Sequence, residues 1–187
     1  MPKSILINYQ NIDFSYKKTQ ILFDINLTIK KGESVAIVGH NGAGKTTLIK
    51  LLIGILKPDS GTINSIEYIQ TNKLSFMPEH SALYNHLTGT ELMHYFAKLK
   101  NIGPESIPEI LKLVEIDFTD KKKKAHYSKG MKQRLMFAQA LLSDPEILIL
   151  DEPYSGLDPN SRRLFSHILQ DLKDKVEDVS KHSPKLV

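Results

Sequence analysis

The stretch VGHNGAGKTTLIK, Val38 to Lys50, decides the fold. Gly39-His40-Asn41-Gly42-Ala43-Gly44-Lys45-Thr46 fits the pattern G-x-x-x-x-G-K-[ST] at every position. Glycines at those places let the backbone approach an anion where a Cβ would intrude. Successive N–H groups, with the N-terminus of a following helix, then suit phosphate oxygens. Lys45 reaches toward β- and γ-phosphates, and the Thr46 hydroxyl is a ligand for Mg²⁺. Gly39 to Thr47 is thus the expected nucleotide-binding stretch, with His40 at a variable position within it.

The surroundings fit. SVAIVG, residues 34–39, is short, β-branched and apolar, as a strand buried on both faces would be. TTLIKLLIGIL reads as a helix halted by Pro58 and the turn PDSG. Upstream, SILINYQNIDFSY and ILFDINLTI alternate apolar and polar residues, which predicts antiparallel strands with one solvated face. Downstream, GTELMHYFAKLKNI, ESIPEILKLVEI and KGMKQRLMFAQALLSD space their apolar residues as helices do. EILILDEP returns to the buried-strand pattern. A last helix runs from Arg162, with Leu164, Ile168, Leu172 and Val176 on one stripe. The expected fold is therefore α/β: a P-loop NTPase core, mostly parallel sheet with helices and an antiparallel β edge. It forms one domain over 1–187, with an inserted helical subdomain at about 80–143.

ILILDEP sets Asp151 and Glu152 at the C-terminal end of its strand, the edge where ligands of open α/β sheets bind. Asp151 is the candidate for holding Mg²⁺, directly or through water. Glu152 is the candidate general base that polarises the attacking water.

Bulk properties agree. The 187 residues are 41% hydrophobic, enough for a core, and 25 basic against 21 acidic residues leave a net charge of +4, weak grounds for nucleic acid. No nucleic-acid partner is expected. There is no cysteine, so disulfide frameworks and thiolate metal sites are excluded. The histidines show no H-x-x-x-H spacing, and no transition-metal site is expected. No apolar run approaches the ~20 residues of a membrane helix, and no secretory signal is visible. The run Lys121–Lys124 reads as a solvated loop.

The phosphate loop, FMPEH (Phe76–His80), YSKGMKQR (Tyr127–Arg134), ILILDEP and SGLDP (Ser155–Pro159) occur in that order. Together they resemble the ATP-binding cassette of ABC transporters, from the start of the chain to about Gln170. YSKGM ahead of a helix is the element that separates this family from other phosphate-loop ATPases. The resemblance implies that Tyr16 stacks on adenine. It implies that Glu79, where the family usually has glutamine, touches Mg²⁺ or the lytic water. It implies that Ser128 and Gly130 hold the γ-phosphate of a second cassette's ATP, and that Asp158 lies in the loop crossing the dimer interface. Lys129 and Met131 depart from the commoner glycine and glutamine.

The same resemblance implies a cytoplasmic, membrane-associated ATPase subunit, paired with a second ABC ATPase subunit and powering a separate membrane permease. Within the family, GHNGAGKTT, FMPEH and YSKGMKQRLMFAQALL look most like ABC-2 exporters, in particular the copper-processing ATPase of nitrous-oxide reductase assembly. Two other readings stay open: a soluble ABC ATPase outside transport, and a nucleotide-binding remnant of low activity. The second is raised by the tail. The family continues into a strand ending in a histidine that touches the γ-phosphate, whereas QDLKDKVEDVSKHSPKLV lacks a buried-strand pattern. A shortened cassette is the expectation, with His182 a poor substitute for that histidine.

Overall fold

The computed structural model describes residues 4–64, 70–71, 73–79 and 84–182, with side chains to residue 174. The chain divides into two compact units, Met1–Leu74 and Ser75–Val187.

The first unit is built on a hairpin, β1 (Ile5–Tyr16) against β2 (Thr19–Lys30), with β3 (Ser60–Asn64) on the other edge of β1. Tyr16 pairs with Thr19, so Lys17 and Lys18 form a two-residue turn, with Lys17 at φ +56. The alternation read from the sequence is present, but it breaks where Leu6 and Ile7 are both buried and again in mid-strand. Ile7 and Tyr9 are buried two apart, and so are Ile12 and Phe14, yet Tyr9 and Ile12 are three apart. Asn11, at φ +52, absorbs the extra residue at a register shift. Its side-chain amide donates to Asp24 Oδ1 at 2.8 Å, and its N–H donates to Asn26 Oδ1 at 2.9 Å. Asp13 ties the strands together by accepting from Asp24 N at 2.9 Å, Ser60 Oγ at 2.8 Å and Gln20 Nε2 at 3.1 Å.

Helix α1 (Lys45–Leu52) buries Leu48, Ile49, Leu51 and Leu52, and the Tyr9 hydroxyl donates to Leu48 O at 3.0 Å. The helix is shorter than expected. Gly54, at φ +74, stops it before Pro58 is reached: Gly54 N donates to Leu51 O and Ile55 N to Lys50 O, the paired bonds of a Schellman cap.

The expected strand at 34–39 does not form. Residues 33–40 carry no regular structure, and Val35, Ile37 and Val38 are exposed, Val38 to 90%. A strand forms only where its backbone pairs along an edge with a neighbour. In this unit β1 already lies between β2 and β3, and neither outer strand pairs with 34–39.

In the second unit β4 (Leu74–Met77) and β5 (Ile147–Leu150) make a two-stranded sheet. Neither β3 nor β4 is evident from the sequence, being short and flanked by turn residues. Around the sheet lie α2 (Gly89–Leu99), α3 (Ile107–Leu113), α4 (Lys129–Leu141) and α5 (Pro159–His182). Helix α2 opens with a capping box: Thr88 Oγ1 accepts from Glu91 N, and Glu91 accepts from Thr88 N at 2.8 Å. The core gathers Met77, Met93, Leu111, Leu135 and Phe137, with Phe165 of α5 stacked 4.2 Å from Phe137.

Helix α5 begins at Pro159, three residues before the expected start, because the Asp158 carboxylate caps it, accepting from Ser161 N at 2.9 Å and Ser161 Oγ at 2.8 Å. Its buried stripe includes Phe165 beside Ile168; Leu164 and Leu172 are half-buried, and Val176 lies outside the described side chains. The backbone stays helical to His182, whose side chain also lies outside the described set.

The lysine run is not wholly solvated. Lys121–Lys123 are exposed, but Lys124 is 1% exposed. The backbone draws it inward: Lys124 N donates to Leu87 O at 2.8 Å and Ala125 N to Asn85 O at 3.0 Å. Burial, with the charge of Lys132, lowers its pKa below that of an ordinary lysine. Among the described residues no helix is long and apolar enough to cross a membrane.

Candidate nucleotide site

In the first unit, the phosphate loop leads into α1 with Gly42 at φ +86 and Gly44 at φ +87. Gly44 is the N-cap, and no side chain caps the helix start. A helix start of this kind favours an anion at its N-terminus. A Cβ on Gly44 would come within 2.8 Å of Leu22 Cδ2 and 3.1 Å of Ile21 Cγ2, so the loop is seated directly on β2. Lys45 turns back into the loop, donating to Gly39 O at 2.8 Å and His40 O at 3.1 Å. The loop closes on itself through Ala43 N to His40 O at 3.1 Å, and His40 Nδ1 lies 2.8 Å from Asn41 O. Asn41, Ala43 and Thr46 are accessible, whereas Thr47 is buried on the core face of α1. Of the two threonines, Thr46 is therefore the one open to a metal or phosphate. Tyr16 ends β1 with its ring 43% exposed and edge-on to Phe14 at 4.9 Å. It is not a core aromatic.

In the second unit, β4 and β5 pair, and the chain leaves their ends at Glu79 and Asp151. Asp151 N donates to Met77 O at 2.9 Å. Two residues beyond Met77, Glu79 Oε1 accepts from Ser155 Oγ at 3.4 Å. Glu152 is exposed, and its backbone sits at φ +47, a region few side-chain-bearing residues occupy. Ser155 N donates to Glu152 O at 2.9 Å and closes that turn. Among the described residues no group of three acidic or histidine side chains is close enough to hold a metal by itself. Mg²⁺ does not require one, since it keeps several waters and is commonly bound by one or two carboxylates plus substrate phosphates. Asp151 and Glu79 offer the hard oxygen donors such an ion takes.

Ser128 is the N-cap of α4, its Oγ accepting from Met131 N at 3.1 Å, which leaves the hydroxyl hydrogen to donate elsewhere. Gly130 is buried, and a Cβ there would come within 2.9 Å of Ser161 Oγ. The signature helix therefore lies against the start of α5. Sequence reasoning missed Ser155 and Gln133; the latter is a buried amide bonded to Pro153 O at 3.3 Å. The available signal was a glutamine on the apolar face of α4.

The Ser161 N–H and hydroxyl hold the Asp158 carboxyl below the usual carboxylate range. A lowered folded value means that the cap's contribution is present above the unfolded value of about 3.9 and is lost as pH falls through the folded value. Thermal melts from neutral pH downward are expected to separate the chain from Asp158→Asn above about pH 4 and to converge in more acid solution. A gap between the two that does not narrow in acid would contradict this.

The family model described as ABC transporter matches residues 22–155, which is more than half the chain. The chain belongs to the ABC transporter family. An uncharacterized ABC transporter ATP-binding protein of Nostoc is 40% identical over 169 residues, covering 84% of this chain and 50% of the relative. A solved ATP binding subunit of an ABC transporter superposes with a TM-score of 0.79 at 30% identity, covering 91% of this chain and 75% of that one. A dimeric ATP-binding cassette in a post-hydrolysis state, bound to ADP and Pi, superposes with a TM-score of 0.80 at 25% identity, covering 90% and 83%. The chain spans about half the length of the curated relatives it matches. Its fold is that of ABC ATPase domains, mixed α/β with a phosphate loop.

Proposed function

We propose that this chain binds and hydrolyses Mg·ATP as the ATPase subunit of an ABC transporter, driving a separate membrane permease from its cytoplasmic face. The observation that carries the reading is the phosphate loop, with Gly42 and Gly44 in left-handed conformations, an uncapped helix start and the Lys45 ammonium inside the loop. Gly39–Thr46 bind the phosphates, Lys45 as their cation, and Tyr16 stacks on the base. Thr46 and Asp151, with Glu79 near them in role, are the oxygen ligands for Mg²⁺, which when bound neutralises phosphate charge. Glu152 takes a proton from the attacking water.

Ser128 and Gly130 serve the γ-phosphate of a second subunit, so the working form is a dimer, most simply of two identical chains. The helices of residues 80–143 form the subdomain that carries this surface. Glutamate at position 79 keeps an oxygen ligand while adding charge. Within the family we place the chain with ABC-2 exporters, near the copper-processing ATPase of nitrous-oxide reductase assembly, on the motifs GHNGAGKTT, FMPEH and YSKGMKQR.

Equilibrium titration with a fluorescent ATP analogue, followed by phosphate-release kinetics, tests the core of this reading. Saturable binding below about 1 mM and Mg²⁺-dependent release are expected; no binding at that concentration would sink it. Co-purification with a membrane permease tests the transport role.

One observation favours a second reading, nucleotide binding with little turnover. The run Ser34–Val38, which leads into the loop, is not a strand and exposes Val38. Binding without phosphate release in the same assay would select that reading.

A further inference from the structure

The first two turns of α4 run beside the segment that carries Glu152. The Lys129 side chain lies across Gly156, and Gly130 approaches Ser161 and Asp158. One turn further along, Gln133 Nε2 donates to Pro153 O at 3.3 Å. Gln133 is 4% exposed, so its amide cannot exchange this partner for bulk water. Pro153 directly follows Glu152, whose φ of +47 persists only where its surroundings impose it. Three bonds bracket the turn: Asp151 N to Met77 O before it, Ser155 N to Glu152 O across it, and Gln133 to Pro153 after it. The Gln133 side is firmly backed. Arg134, the next residue, donates from Nη1 to the carbonyls of Val114 and Glu115 and to Glu115 Oε2, each at 3.2 Å, and so anchors α4 to the end of α3.

We propose that Gln133 is a positioning residue for Glu152, holding the turn after β5 so that the carboxylate keeps its direction. This rests on the reading of Glu152 as general base. The helix that aims the base also carries Ser128 and Gly130 at its N-terminus. A displacement of α4 when those residues engage a second subunit's nucleotide is therefore passed, through one side chain, to the base of its own chain.

Gln133→Met keeps the volume and removes the donor. It is expected to lower kcat about ten- to hundredfold, as a small misplacement of a reacting group does, with KM for ATP within about twofold. Combined with Glu152→Gln, it should add no further loss, because the two act as a unit. Amide hydrogen exchange gives a second readout that needs no turnover: the Ser155 N–H should exchange at least about tenfold faster in Gln133→Met, while Phe137 in α4 is unchanged. A kcat within about twofold of the parent, or Ser155 exchange left unaltered, overturns the proposal. If the parent chain itself releases no phosphate, the ATPase reading fails, and Ser155 exchange alone decides whether Gln133 holds the turn.

Discussion

Glu152→Gln is expected to cut ATP turnover by about a hundred- to a thousandfold, the usual size of a lost general base, while ATP affinity stays within about twofold. The amide keeps the side chain's length and shape but cannot accept the water's proton. Little else should change. Glu152 is exposed, so the substitution leaves no cavity, and its carbonyl can still accept from Ser155 N. The backbone demand is equal for both residues, since each must hold φ +47. The folded chain should therefore melt at the same temperature with either side chain. Phosphate release under saturating Mg·ATP, read beside an equilibrium ATP titration, makes the comparison. Turnover within about threefold of the parent would remove Glu152 from the role of base.

The second large effect lies in the phosphate loop. Gly44→Ala places a Cβ on a residue at φ +87, which costs about 1–2 kcal/mol for the left-handed backbone alone. It also drives that Cβ to 2.8 Å from Leu22 Cδ2 and 3.1 Å from Ile21 Cγ2. Relieving such crowding typically costs about 1–3 kcal/mol more. A total loss of about 2–5 kcal/mol is expected by denaturant unfolding, together with loss of ATP binding as the start of α1 lifts from β2. Gly42→Ala is the internal control. Its φ of +86 is nearly the same, but nothing lies within 4 Å of the added Cβ, so only the backbone cost remains. Equal destabilisation by the two substitutions would show that packing against β2 is not what Gly44 protects.

The parts legible in the sequence were those whose chemistry is local. G-x-x-x-x-G-K-T specifies a loop and a helix start within a single short motif, and both are there. Asp158 announced its loop by motif, though not that its carboxylate would begin α5 three residues early. The parts that failed depended on distant partners. Ser34–Val38 has the composition of a buried strand, but no strand of its own unit pairs with it. Lys124 belongs to a run of charges that reads as solvated, and backbone bonds to Leu87 and Asn85, far away in sequence, pull this segment inside. Pro58 is the more conspicuous helix stop, yet Gly54 acts first, since glycine in a left-handed C-cap is itself a terminator. Nothing in DEP foretold that Glu152 would take a left-handed backbone, because that conformation is imposed from outside the tripeptide by Met77, Gln133 and Ser155.

Asn11 carries a consequence for how this hairpin tolerates change. It divides β1 into two halves that alternate in opposite phase, Ile7 and Tyr9 on one side and Ile12 and Phe14 on the other. The residue works as a spacer whose count matters more than its identity. Substitution at Asn11 disturbs a few hydrogen bonds at the surface and, for residues other than glycine or aspartate, strains a backbone held at φ +52. Deletion would leave every apolar residue in the chain and still turn half of the strand inside out. The core of the nucleotide-binding unit is thus tolerant of spelling but intolerant of length at one position in the middle of its central strand.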